Sequence, residues 1–188
     1  MKLLPLNKPL RILLFTNALI RISAAMLAPV YALFVKRIGG DLIEASIGGG
    51  IYALIAGLTT IISGRFSDKV KENELILVLG YSIMGAGFLL YFWVNSVIFL
   101  FIVQAIIAFG EALYLPVFDA LYTKHLNKNM AGSQWGLRES MNYFVIALGA
   151  IFGGIIATLF GFQTMFVLMS ILCFASALYI YRLKRTVL

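Results

Sequence analysis

The sequence predicts an all-α membrane protein of six transmembrane helices with both termini on the cytoplasmic side, and three observations predict it. Six stretches are apolar for about 20 residues each, the length a helix rising about 1.5 Å per residue needs to cross a hydrocarbon core of about 30 Å. Composition agrees, with 62% of the 188 residues hydrophobic and 12% charged and a mean hydropathy of +0.97. The third observation is that the cations fall on alternate connections.

The first span is read over residues 10–35, entered past Lys2, Lys8 and Arg11 and left at Lys36 and Arg37. Its start has features of a secretory signal, but Arg21 interrupts the apolar run, which continues to Val35 and is too long for a signal's apolar core. The second span, 47–63, is rich in glycine and runs into Arg65, Lys69 and Lys71. The third covers 75–94 and the fourth 97–123, separated by Asn95 and Ser96. Lys124 and Lys128 follow the fourth, and the fifth, 133–160, carries Arg138 near its start. The sixth, 162–181, ends at Arg182, Lys184 and Arg185. Residues 1–188 therefore read as a single six-helix domain, with one half at about 10–94 and the other at about 97–181.

Lys36 and Arg37 alone lie on the side opposite the other connecting cations, and the third and fifth connections carry none. By the positive-inside rule both termini are expected in the cytoplasm, with the chain multi-pass in a plasma or inner cell membrane. The formal net charge of +7 then needs no nucleic acid, because these cations lie beside an anionic lipid leaflet that attracts each by about 1 kcal/mol. The single Cys173 sits in the last span and reads as a packing residue.

No paired histidines, cysteine clusters, nucleophile elbow or phosphate-cradling loop are present, so neither an enzyme nor a cofactor or metal site is expected. The lone His125 reads as a solvated loop residue beside Lys124. An intramembrane protease would need serine and histidine at membrane depth, where His125 is not.

Arg21 and Glu111 are the two charges that fall near the bilayer centre. A charge at the bilayer centre costs about 2.5–3.5 kcal/mol even on insertion scales, and such residues mark pathways by default. Each lies about 16–18 Å from the inner end of its span, so the two share one depth. Asn17 precedes Arg21 by four residues and Gln104 precedes Glu111 by seven, spacings that extend each charge along one helix face. Tyr31 and Tyr114 are further candidates to line a cavity. Two readings stay open: an ion pair that only joins the first and fourth spans, and a site that binds a small solute or carries a proton.

The halves also resemble each other. Pro29 and Pro116 are the prolines inside spans, in the first and fourth. Spans two and five are the glycine-rich ones, with Gly48, Gly49, Gly50 and Gly57 in one and Gly149, Gly153 and Gly154 in the other. Three spans separate each pair, so equivalent helices run oppositely, as in a 3+3 inverted repeat. Prolines would hinge the cavity helices, and glycines would allow close, sliding contact.

After the second span the sequence reads Gly64-Arg65-Phe66-Ser67-Asp68-Lys69. This resembles the Gly-x-Leu-x-Asp-Arg-x-Gly-Arg-Arg signature of the major facilitator superfamily, with Phe66 for Leu and Lys69 for Arg. Gln104, Gly110, Pro116 and Asp119 follow the order of that family's fourth-span pattern. Gly149-Ala150-Ile151-Phe152-Gly153-Gly154 is similar to its fifth-span antiporter pattern without the proline. The resemblance covers nearly the whole chain and implies the amino-terminal six-helix half of a secondary carrier working by alternating access. It implies a gate in which Asp68 approaches a fifth-span N-terminus of an opposing bundle, Lys69 or Lys71 pairs with Asp119, and Arg138 is a candidate partner for a neighbouring Asp68.

A six-helix half needs a second bundle to close against. The expectation is a parallel homodimer or a separate six-helix half, coupled to an ion or proton gradient, with symport or antiport left open. The alternatives are a non-transporting scaffold and a degenerate fragment of a full-length transporter.

Overall fold

The computed structural model describes residues 6–70, 72–184 and 187–188. Lys2, Lys71 and Arg185, which entered the charge reading, lie outside the described residues. The first span is two helices, α1 (Lys8–Leu27) and α2 (Tyr31–Arg37), joined by a 3-10 turn at Ala28–Val30. Next come α3 (Leu42–Ser67), α4 (Asn73–Leu90), α5 (Val97–His125), α6 (Ala131–Leu159) and α7 (Gly161–Tyr181). Six helical segments among the described residues are long and apolar enough to cross a membrane.

Local chemistry sets these boundaries. Asn7 caps α1 by accepting the Leu10 amide at 3.0 Å, and Pro9 sits in the first turn, where its missing N–H costs nothing. Pro29 falls inside the 3-10 turn and is the reason the expected continuous span at 10–35 is broken. The second span starts at Leu42 rather than residue 47, because Asp41 and Glu44 close a capping box on each other's backbone. A polar first turn of this kind is invisible to an apolar window. Gly39 and Gly161 take positive φ, at 87° and 84°, and make the turns into α3 and α7. His125 ends α5 instead of lying in a loop, with its Nε2 3.0 Å from the Leu188 carbonyl oxygen.

The helices pack in the order α3, α5, α4, α7, α1, α6, and no substantial contact joins α6 back to α3. Exchanging the first three spans with the last three maps α1 on α6 onto α5 on α3. It maps α1 on α7 onto α5 on α4, and α4 on α7 onto itself. These pairings follow the exchange expected of a 3+3 inverted repeat, while the contact of α6 with α7 has no comparable counterpart between α3 and α4. The core sits along α1, α4, α5 and α7, where Tyr81, Tyr91, Tyr114, Tyr122, Phe118 and Phe166 are wholly buried. Phe34 of α2 meets Tyr91 and Phe166 edge-on at centroid distances of 5.6 and 5.0 Å, tying together the end of span one, the end of span three and the start of span six.

The glycines divide differently from the expectation of a sliding contact on both Gly-rich spans. On α6, a Cβ at Gly149 would press on Ala25 and on the Ile22 carbonyl, and one at Gly153 would overlap the Met26 backbone, so both glycines make the close seam with α1. On α3, Gly48 lies under the Tyr31 hydroxyl, while Gly49, Gly50 and Gly57 have no atom within 4 Å of a built Cβ. The second span is the least buried of the six and the fifth the next. Cys173 is fully buried and packs against Gly85 of α4, as its position in an apolar span implied.

Candidate functional site

Arg21 lies thirteen residues along α1 from Lys8 and Glu111 fourteen residues before His125, about 20 and 21 Å from those ends of their helices. They meet: Arg21 Nη1 donates to Glu111 Oε1 at 3.2 Å. Helices α1 and α5 otherwise touch lightly, so this ion pair is a principal link across the break in the bundle. The side chains keep 23% and 16% exposure, so neither is sealed in a dry core.

Polar atoms around the pair are under-used. Arg21 Nε, Asn17 Oδ1 and the hydroxyls of Tyr81 and Tyr114 are buried without a hydrogen-bond partner. Tyr114 is within electrostatic reach of both charges and stacks edge-on against Tyr81 at 4.9 Å. Donors and acceptors of both signs therefore converge at one depth, an arrangement suited to a zwitterionic or anionic solute or to a carboxyl that takes up a proton. Gln104 is buried on the same face of α5, but it lies about 10 Å further out and belongs to a separate aromatic cavity with Tyr31. The expected five-residue cluster is thus divided: Arg21, Glu111 and Tyr114 stand together, Asn17 is buried one turn before Arg21 on α1, and Gln104 stands apart.

Pro116 shapes the helix that carries Glu111. Without an N–H it leaves the Ala112 carbonyl unbonded within α5. Ser63 of α3 supplies the missing donor, its Oγ reaching the Ala112 oxygen at 2.7 Å and that of Leu113 at 3.3 Å. The grip falls on the residue next to Glu111, and Ser63 itself adjoins Gly64, the first residue of the signature loop. Sequence reading missed Ser63; the signal was a serine at the level of an opposing proline.

The C-terminal part of α5 and the N-terminal part of α6 hold a second ion pair. Arg138 Nη2 donates to Asp119 Oδ1 at 2.7 Å, and its guanidinium lies 5.3 Å from the Phe118 ring centroid and 5.0 Å from that of Trp135. Asp119 is therefore paired with Arg138 and not with Lys69, a correction to the expected loop pairing, while Lys71 is outside the described residues. The reason is reach: α6 starts at Ala131, only a short connection after the end of α5 at His125, and the first turns of α6 therefore carry Arg138 to Asp119. Asp68 and Lys69 are exposed at the end of α3, and a Cβ at Gly64 meets nothing within 4 Å. Gly154 likewise faces open space.

Comparison with known proteins agrees with this architecture. A family model described as Major Facilitator Superfamily matches residues 13–187. Among curated relatives, an uncharacterized MFS-type transporter of Methanocaldococcus jannaschii is 26% identical over 82% of this chain and 38% of its own length. Multidrug resistance protein MdtG of Yersinia enterocolitica is 24% identical over 90% of this chain and 42% of its own. The chain spans about two fifths of the length of the relatives it matches. With six span-length helices, paired packing and a family match across nearly all of its residues, the chain belongs to the Major Facilitator Superfamily.

Proposed function

We propose that this chain forms one six-helix half of a secondary carrier that moves a small solute by alternating access, with Arg21 and Glu111 as the binding and coupling centre. The observation that carries the reading is the Arg21–Glu111 pair, set at mid-helix depth, part-exposed, and ringed by unpartnered polar atoms. A pair kept only for packing would gain from having its remaining donors and acceptors satisfied. Membership in a transporter family supports transport, and the charge bias supports cytoplasmic termini in a cell membrane. Glu111 is the proposed proton carrier. In reconstituted vesicles Glu111→Gln removes proton coupling while exchange of bound solute persists; unchanged acidification in that variant contradicts the role.

The carrier needs a second bundle facing the break between α3 and α6. A parallel twofold arrangement of two copies supplies one. The relatives' greater length favours a second reading, in which these helices pair with a further six-helix half. Cysteines placed at Asp68 and Ser133 in a Cys173→Ala background decide between them: a disulfide-linked dimer of this chain supports the homodimer, and no crosslink supports the separate half.

A further inference from the structure

Where α2 ends, the connection from α4 to α5 turns and α7 begins, a cavity of about 300 Å³ opens at the end of the bundle. Its floor is apolar, made by the buried rings of Phe34, Tyr91 and Phe166. Its polar lining comes from three separate elements: Arg37 from the last turn of α2, Asn95 from the connection and Gln163 from the first turn of α7. No carboxylate lines it. The acids that follow Arg37 in sequence, Asp41 and Glu44, are engaged in the capping box of α3. The ion pairs among the described residues are Arg21–Glu111, Arg138–Asp119 and Arg138–Glu139, and none involves Arg37. Its guanidinium lies instead 5.8 Å from the centroid of the Phe162 ring, which holds it at the rim of the cavity.

A guanidinium beside two amides, with no acid on the wall, suits an anion that has several acceptor oxygens. The first turn of α7 has no side-chain cap, so its N–H dipoles add to the positive potential there. Depth selects the anion. Phe92 and Trp93 end the third span beside this cavity and are 38% and 56% exposed, and exposed aromatics at the end of a span sit at the level of lipid headgroups. We propose that the cavity holds the phosphodiester of an anionic phospholipid from the leaflet opposite the termini. Arg37 faces the phosphate, Asn95 and Gln163 donate to its oxygens, and the glycerol carbons rest on the apolar floor. A soluble phosphate ester offers the same oxygens but carries no chains to anchor it at that depth. A zwitterionic headgroup is disfavoured, because its ammonium finds no carboxylate on the wall. Arg37 lies sixteen residues beyond Arg21 along the first span, so the site stands independently of the transport reading.

Native mass spectrometry of the whole chain, released from dodecyl maltoside micelles carrying palmitoyl-oleoyl phosphatidylglycerol, counts the lipid that is retained. One phosphatidylglycerol per chain is expected, held about fivefold more tightly than phosphatidylcholine with the same chains. Arg37→Gln keeps a flat group over Phe162 while removing the charge, and weakens retention about tenfold. Gln163→Leu, at an exposed position, removes a donor at nearly constant size and weakens it about threefold. Lys36→Gln removes an equal charge from the adjacent residue, which does not line the cavity, and changes retention less than about twofold in about 0.15 M ammonium acetate. Unchanged retention in Arg37→Gln, or equal losses in Arg37→Gln and Lys36→Gln, overturns the proposal in favour of unspecific attraction. Equal retention of the two lipids overturns it in favour of an adventitious lipid. Displacement of phosphatidylglycerol by millimolar glycerol phosphate overturns it in favour of a soluble ligand.

Discussion

The bond from Ser63 to the Ala112 carbonyl makes a sharp prediction, because its partner is vacant for a single identifiable reason. Removing the hydroxyl with Ser63→Ala leaves a buried carbonyl with no donor, since Pro116 has no N–H to offer it. A net intramolecular hydrogen bond is worth about 0.5–1.5 kcal/mol, and polar contacts between membrane helices average about 0.6 and reach about 1.7 kcal/mol. The 2.7 Å length and full burial of Ser63 place this bond toward the upper part of that range, at about 1 kcal/mol. In a Pro116→Ala background the amide at position 116 returns to the ladder and satisfies Ala112. There Ser63→Ala costs close to nothing, and the double-mutant cycle gives a coupling of about 1 kcal/mol. Equilibrium unfolding in mixed micelles, read by helix content and tryptophan emission, resolves this as about a fivefold change in the folded-to-unfolded ratio. An equal cost of Ser63→Ala in both backgrounds refutes the reasoning.

Other outcomes follow from the same geometry. Gly153→Ala forces a Cβ into the Met26 backbone and destabilises by about 1–3 kcal/mol, whereas Gly154→Ala, one residue on, stays within about 0.5 kcal/mol; both are read in the same unfolding assay. Arg138→Lys keeps the charge facing Asp119 but loses the planar stacking on Phe118 and Trp135, costing about 1 kcal/mol and shifting Trp135 emission. Asp41 lies at the N-terminus of α3, where a hydrogen bond with the Glu44 side chain and then the Ile43 amide hold its carboxyl below the ordinary range. A depressed carboxylate stabilises above its unfolded value of about 3.9 and loses that contribution as pH falls through the folded value. The protection of the Ile43 and Glu44 amides, taken relative to the intrinsic exchange rate at each pH, therefore falls as pH drops through the folded value, and Asp41→Asn removes the step.

Span number, depth and the pairing of Arg21 with Glu111 were legible because each follows from one-dimensional counting: apolar length, charge alternation and distance from a helix end. What counting missed depends on which way a helix is turned. Gln104 shares a face with Glu111, yet two turns of rise put it in another cavity. Gly149 and Gly153 looked equivalent to the glycines of the second span, but only the former meet a neighbouring backbone. Asp119 found Arg138 because the short connection at residues 126–130 starts α6 next to the end of α5, although the two helices then diverge, a fact of tertiary structure that the family's loop pattern does not contain. Ser63 was overlooked since a lone serine in an apolar run acquires meaning only opposite the carbonyl that a proline exposes on another helix.

A binding and coupling centre at Arg21 and Glu111 requires that the pair open to water and not to lipid. With Cys173→Ala as background, Glu111→Cys is treated in intact vesicles with a charged, membrane-impermeant thiol reagent and, in parallel, with a lipophilic maleimide. Reaction with the charged reagent, at a rate well above that of a lipid-facing control such as Ile151→Cys, is the predicted result. Modification by the lipophilic reagent alone contradicts it.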